Sequence, residues 1–213
     1  VEGIPGYTEG LFLVQDAAAA RAPALLGARP GDTVLEVGAG RGGKTAILAA
    51  RVAPGGMVTA VDRDGARLAL LRENLLRTGA DAETVEVLEG DALAEGVLPL
   101  GPFDRVLVDA PCSNTGVLAR RVEARHRITP RDIETLAALG RRLLEAALDR
   151  LRPGGVAVHA VCSLEPEEGP ETVRRAIRKR PEFTLESEEA LLPLPGRRDG
   201  GYAAVIRRTV PAS

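Results

Sequence analysis

The side chains richest in chemistry are two cysteines. Cys112 stands in Asp109-Ala110-Pro111-Cys112-Ser113, and Cys162 in Val161-Cys162-Ser163. Each follows a short apolar run, Val106-Leu107-Val108 or Val156-Ala157-Val158, of the kind that forms strands buried on both faces. If those strands are neighbours, about 4.8 Å apart, both thiols face one cleft. The plain alternative is two small buried hydrophobes. A disulfide is disfavoured if the protein is cytosolic, and two cysteines are too few for an all-protein zinc site. The other chemical feature is the run Gly38-Ala39-Gly40-Arg41-Gly42-Gly43-Lys44-Thr45. It holds GxGxxG with an acid, Asp62, about 20 residues on, which is a dinucleotide fingerprint. It also satisfies GxxxxGK[ST], the P-loop pattern, with Asp109 ending a candidate magnesium-binding strand. A third reading is a bare glycine turn that lets a helix pack close to a strand.

The surroundings discriminate. Glu36 precedes the loop, and Asp62 and Asp91 end the next two strands. That acidic rim suits a ligand with hydroxyls and a cationic centre better than a triphosphate. An acid at the end of the second strand accepts ribose hydroxyls. S-adenosylmethionine carries a ribose, an adenine edge, an ammonium and a sulfonium, and no phosphate. A thiolate beside a methyl donor suggests one reaction in particular. C5 of cytosine is too poor a nucleophile to take a methyl group, and thiolate addition at C6 makes it enamine-like. Such covalent catalysis needs a cysteine of lowered pKa and a group that favours the N3-protonated adduct. Asp109 is placed for the second task. The base, flipped or unpaired, would lie between the thiols and the cofactor.

Positioning these residues takes alternating strands and helices. The spacing predicts strands over Thr33–Val37, Met57–Val61, Val85–Leu88, Phe103–Val108 and Val156–Val161. It predicts helices over Thr45–Val52, Asp64–Thr78, Pro130–Leu151 and Glu167–Arg180. Pro54-Gly55-Gly56, Gly79 and Pro153-Gly154-Gly155 are the expected stops. A polar loop runs from Asp109 to about Ile128, and Phe183–Leu185 and Tyr202–Ile206 read as edge strands. Strand–helix alternation implies right-handed crossovers and a parallel sheet covered on both faces. Ligands bind such a sheet at the C-terminal strand ends. Glu36 to Lys44, Asp62, Asp91, Asp109 to Cys112 and Cys162 all fall on that rim.

At these residues the chain resembles the Sun/RsmB family of RNA cytosine-5 methyltransferases, most of all its RsmB-like branch. Pro5-Gly6-Tyr7-Thr8-Glu9-Gly10 with Val14-Gln15-Asp16 looks like that branch's opening segment. Gly42-Gly43-Lys44-Thr45 matches the cofactor loop, and Asp109 to Ser113 with Thr115-Gly116 the fourth motif. Pro153-Gly154-Gly155, Cys162-Ser163-Leu164 and Pro166-Glu167-Glu168 match the sixth. Asp199-Gly200 and Tyr202 resemble the closing strand. The resemblance implies an α/β, Rossmann-like class I methyltransferase fold: a mostly parallel, doubly wound sheet with an antiparallel C-terminal edge strand. It implies that Cys162 is the nucleophile, that Cys112 assists release of the methylated base, and that Asp109 contacts the cytosine and the cofactor side. Gly38, Ala39, Gly40, Arg41, Gly42, Gly43, Lys44, Asp62, Arg67, Asp91 and Asp109 would hold S-adenosylmethionine, with Asp62 on the ribose, Asp91 near the adenine and no metal. The chain departs from the family where Gly38, Gly40 and Arg41 replace an apolar, proline-containing stretch. The family's His-Pro-Asp is absent from Arg120–Ala124, Asn114 stands where Gly is common, and Gly169 where Asn is common. A reading of another class is a degenerate domain that binds RNA or cofactor without turnover.

The 213 residues are 45% hydrophobic and carry a net charge of −2, which excludes both disorder and a strongly basic nucleic-acid module. The charge is lopsided: residues 1–106 sum to −5 and residues 107–213 to +3. Residues 118–131 hold five Arg, His126 and one Glu, and Arg174, Arg175, Arg178, Lys179 and Arg180 form a second cluster. The first is expected to contact RNA phosphates, the second to be a solvated helix face. Base stacking would fall to Tyr202, Tyr7 or Arg planes. His126 and His159 read as structural or loop residues. Only two of the 28 basic residues are lysine, Lys44 and Lys179, so Lys44 looks retained for its compact ammonium. Residues 1–28 are expected to form an N-terminal segment and helix packed on a methyltransferase domain over 29–213. The only Met is Met57, so the chain is expected to be processed or a domain of something longer, and the resemblance implies an N-terminal domain that adds RNA affinity. The expected substrate is RNA, of the ribosomal small-subunit kind. With no apolar run near ~20 residues and no signal peptide, a cytoplasmic location is expected.

Overall fold

The computed structural model describes residues 3–80, 83–194 and 196–210. The outermost positions of the two expected segments, 1–2 and 211–213, lie outside the described residues. The first strand, β1 (Thr33–Val37), is buried from Val34 onward and runs into the glycine loop. Helix α1 (Ala17–Leu26) precedes it, opened by Asp16, which accepts from the Ala18 N–H at 2.8 Å. The loop turns into α2 (Gly43–Val52), and β2 (Met57–Asp62) follows. Helix α3 (Gly65–Thr78) buries Leu68, Leu71 and Leu75; Asp64 caps its start and Gly79, in the left-handed region, its end. Leu76, which the helical spacing would put with Leu68, Leu71 and Leu75, is solvent-exposed. Then come β3 (Val85–Glu89) and β4 (Phe103–Asp109).

The sheet order is β3-β2-β1-β4, continued by β5 (Leu151–Val161), β7 (Gly201–Arg208) and β6 (Phe183–Leu191). Strands β3 to β5 pair parallel, and β7 pairs antiparallel with both β5 and β6. The antiparallel C-terminal strand is therefore present but sits one place in from the edge, which β6 occupies. Alternation along the strands feeds two cores. Leu35, Val106 and Val108 pack with Leu144, Leu148 and Val173 on one face. Val34, Leu107 and Val158 pack with Leu26, Leu48, Leu68 and Leu71 on the other. The order in which strands are added reverses between β1 and β4, which puts the sheet's switch point, where such sheets bind ligands, at their C-terminal ends.

Several boundaries differ from the sequence reading. Helix α5 (Pro130–Leu148), opened by a Thr129–Asp132 capping box, stops three residues early. Leu151 is fully buried and pairs with Phe103, so tertiary burial draws it into β5, and Pro153-Gly154-Gly155 becomes part of the strand rather than a stop. Helix α6 (Pro170–Ile177) starts at its proline and leaves Glu167 and Glu168 in the preceding turn. The loop after β4 contains a 3-10 turn at Thr115–Val117 and a short helix α4 (Ala124–Arg127). Both C-terminal strands are longer than expected because each is the other's partner. Among the described residues no helix is long and apolar enough to cross a membrane.

Candidate active site

The crevice is a cleft of about 570 Å³. On one side it is lined by Gly38, Gly40, Arg41, Asp62, Arg67 and Asp91, and on the other by Asp109, Cys112 and Cys162. Backbone geometry builds the first side. Gly38 has φ +84°, and a Cβ there would lie 2.2 Å from the Asp109 carbonyl oxygen, so β1 and β4 approach this closely only through glycine. The Gly40 N–H donates to Asp62 Oδ2 at 2.8 Å and the Asp64 N–H to Asp62 Oδ1 at 3.0 Å. Those two bonds aim the Asp62 carboxylate and leave lone pairs for hydroxyls. Asp91 caps its own turn, accepting from the Leu93 N–H at 2.9 Å.

The remaining loop residues are not on the cleft wall. Ala39 is buried in the core, Gly42 lies against Leu71, and Gly43 lies against Gln15. Lys44 points to Asp109, with Nζ 2.6 Å from Oδ2. Burial opposes the charge on Lys44, but Asp109 overrides it and the ammonium pKa is raised. An ammonium engaged this way does not serve as a P-loop lysine. Glu36, expected on the rim, is fully buried beneath it. It accepts from Thr45 Oγ1 at 2.6 Å, its Oε1 has no partner, and burial pushes its pKa up to about 7.

The thiol side is built by long-range contacts. β4 and β5 are neighbours, and the Gly116 N–H donates to the Cys162 carbonyl at 3.1 Å. Both thiols are raised, not lowered as the chemistry seemed to require. Burial pushes Cys112 up to about 12. Burial and then Asp109 raise Cys162, against which Lys44 works. A second cleft, of about 330 Å³, reaches Cys162 from another side between Asp16, Asn114, Arg120 and Asp199. Sequence reasoning passed over Asn114 as a contact and Ser113, Ser163 and Glu168 as a group. The serines did carry a signal, since each directly follows a thiol; for Asn114 it was the replacement of a common Gly, which fits its left-handed φ of 62°.

Three expectations about side chains are corrected or refined. Tyr202 is a core residue whose hydroxyl donates to Glu188 at 2.6 Å, so it offers no stacking face. Tyr7 already carries the Arg77 guanidinium, 3.9 Å from its ring centroid, which ties the N-terminal segment to α3. His159 is fully buried and structural, with Nε2 3.1 Å from the Glu168 carbonyl. The two basic clusters also part company. Arg174, Arg175 and Arg180 are matched by Glu188, Glu171 and Asp149. Arg120 is matched by Asp199, but Arg121, Arg125 and Arg127 are exposed with no side-chain hydrogen bond or ion pair among the described residues.

A doubly wound sheet with an acidic, glycine-lined cleft at its switch point defines a Rossmann-like methyltransferase fold. The family profile described as 16S rRNA methyltransferase RsmB/F matches residues 23–202, and the chain belongs to that family. It is 39% identical over 215 residues to ribosomal RNA small subunit methyltransferase B of Vibrio cholerae, covering 98% of this chain and 49% of that protein. The chain thus spans about half the length of the curated relatives it matches. Among solved structures, NSun6 from Pyrococcus horikoshii with SFG superposes with TM-score 0.87 at 27% identity, covering 99% of this chain and 56% of that one. A methyltransferase homolog protein from Pyrococcus horikoshii superposes with TM-score 0.83 at 30% identity, covering 99% of this chain and 72% of that one.

Proposed function

We propose that this domain methylates C5 of a cytosine in RNA, of the 16S ribosomal kind, through a covalent adduct on Cys162. The observation that carries the reading is that both thiols and Asp109 share one cleft with an acidic cofactor rim. The cleft volume suits a nucleoside-sized ligand, and Gly38 and Gly40 line it without side chains. Gly38, Gly40, Asp62 and Asp91 would hold S-adenosylmethionine, with Asp62 on the ribose hydroxyls and Asp91 by the adenine. When bound, it supplies an electrophilic methyl group.

The chain's own residues do the rest. Cys162 sulfur bonds to C6, C5=C6 becomes C4=C5, and the thiol proton passes by way of Asp109 to N3. The raised Cys162 pKa then fits a thiol that ionises only as the base arrives. Asp109 opposes the thiolate while it is an anion and stops doing so once it holds the proton. Lys44 stabilises thiolate and carboxylate alike. After methyl transfer the C5 proton passes to solvent, its C–H electron pair forms C5=C6 as the C6–S bond breaks onto sulfur with help from Cys112, and N3 returns its proton by way of Asp109 to Cys162.

The test is transfer of labelled methyl to RNA by the intact protein. Cys162→Ala should lower turnover by at least about three orders of magnitude. Cys112→Ala should trap a protein–RNA complex that survives denaturing electrophoresis. Full activity in Cys162→Ala would overturn the assignment.

A further inference from the structure

The segments bearing the two thiols are joined by a buried hydrogen-bond set that the chemistry above does not use. The Glu168 carboxylate accepts the Ser113 N–H on Oε1 and the Ser113 hydroxyl on Oε2, both at 2.7 Å. Ser113 Oγ lies 3.2 Å from Ser163 Oγ, and Thr115 Oγ1 lies 3.1 Å from the same atom. Thr115 Oγ1 also accepts the Leu164 N–H, and Ser163 Oγ the Glu165 N–H. Ser113, Ser163 and Glu168 are each at most 3% exposed. Glu168 is itself anchored, its carbonyl meeting the buried His159 ring.

Position gives these contacts their meaning. Ser113 directly follows Cys112, and Ser163 directly follows Cys162. A hydroxyl pair one residue away from each sulfur thus bridges the two thiol-bearing segments. Glu168 makes no contact with the cleft and fixes the Ser113 end through both of its oxygens. A carboxylate buried without a cation costs stability, so its place here is better matched to geometry than to strength.

We propose that Glu168 is a positioning residue, which through Ser113 and Ser163 holds Cys112 at its working distance from Cys162. The inference rests on the two-cysteine reading above. Its consequence is selective. Loosening the clamp displaces Cys112 and slows release of the product, while cofactor binding, built from the opposite side of the cleft, is untouched.

Glu168→Ala and Ser113→Ala are the test, made in the intact protein and read three ways: calorimetric binding of S-adenosylmethionine, KM and kcat for RNA, and adduct on a denaturing gel. Both variants should keep cofactor affinity and KM within about twofold, lose about tenfold or more in kcat, and accumulate adduct. Glu168→Gln can accept from the Ser113 N–H and donate to its hydroxyl, so it should restore kcat to within about threefold. Wild-type kcat and no adduct in both alanine variants would overturn the clamp. So would parallel losses of cofactor affinity and kcat, which mark general damage. Cys112→Ala on the same gel separates the two failures: if it traps no adduct, the two-cysteine reading falls, and if it alone traps adduct, only the clamp does.

Discussion

The two sides of the cleft solve different problems by different means. The cofactor side is made of turns: Gly38, Gly40 and Asp62 reach their places through bonds within the β1–α2 and β2–α3 connections. The thiol side is made of meetings between distant segments, with Ser113 and Glu168 55 residues apart. The first side takes its charge from Asp62, buried and held by two backbone N–H groups, and from Asp91, exposed on its turn. On the second the thiols are half-buried, and burial is the largest cause raising both. On the reading proposed above, a ligand that comes and goes meets aimed backbone and acids, and a thiol that waits for the base meets desolvation.

The sharpest way to break that comparison after the cysteine variants is Asp62→Ala. It should weaken S-adenosylmethionine binding about 10- to 100-fold by calorimetry while leaving the reactivity of Cys162 toward iodoacetamide unchanged. If thiol reactivity moves with it, the two sides are one unit. Next come the exposed arginines of the loop after β4, of which Arg121 lines the cleft. Replacing Arg121, Arg125 and Arg127 by alanine should weaken RNA binding and reduce the slope of log affinity against log salt by about 2 to 3. The matched triple at Arg174, Arg175 and Arg180 should leave that slope as it was, because those cations already face carboxylates. Equal slopes for the two triples would break the distinction.

Smaller effects sharpen it. With no RNA bound, alkylation of Cys162 should still be climbing at about pH 9, because a raised pKa keeps the sulfur protonated at neutrality. A plateau near neutral pH would mean the thiol is activated before the base binds. The smallest effect is beneath the cofactor loop. Glu36 has its pKa raised from 4.5 to about 7, so the unfolded chain releases that proton first. Stability should therefore fall as pH rises from about 4.5 to about 7 and stay at the lower level above that. Glu36→Gln keeps an acceptor for Thr45 and should remove the fall, gaining on the order of 1–2 kcal/mol at about pH 8 in thermal melts.

Much of the fold could be read along the chain because period-2 burial and glycine stops are local facts. Val106-Leu107-Val108 announces a strand buried on both faces, and Asp62 and Asp109 announce strand ends. What misled was local too. Pro153-Gly154-Gly155 looks like a helix stop, yet pairing with β4 makes it strand. Tyr202 looks like a stacking platform, yet β5 and β6 enclose it. Glu36 looks like rim, yet the strand's alternation turns it under the loop toward Thr45.

The chain by itself determined the class of sheet, the rim on which its chemistry collects, and the identity of the two sulfurs, because residue type and spacing carry all three. Only the tertiary structure decided that Lys44 pairs with Asp109, that Arg174, Arg175 and Arg180 face carboxylates while Arg121, Arg125 and Arg127 do not, and that burial raises both thiols. Each of those depends on which distant groups burial brings within a few ångströms, and on how little water is left between them.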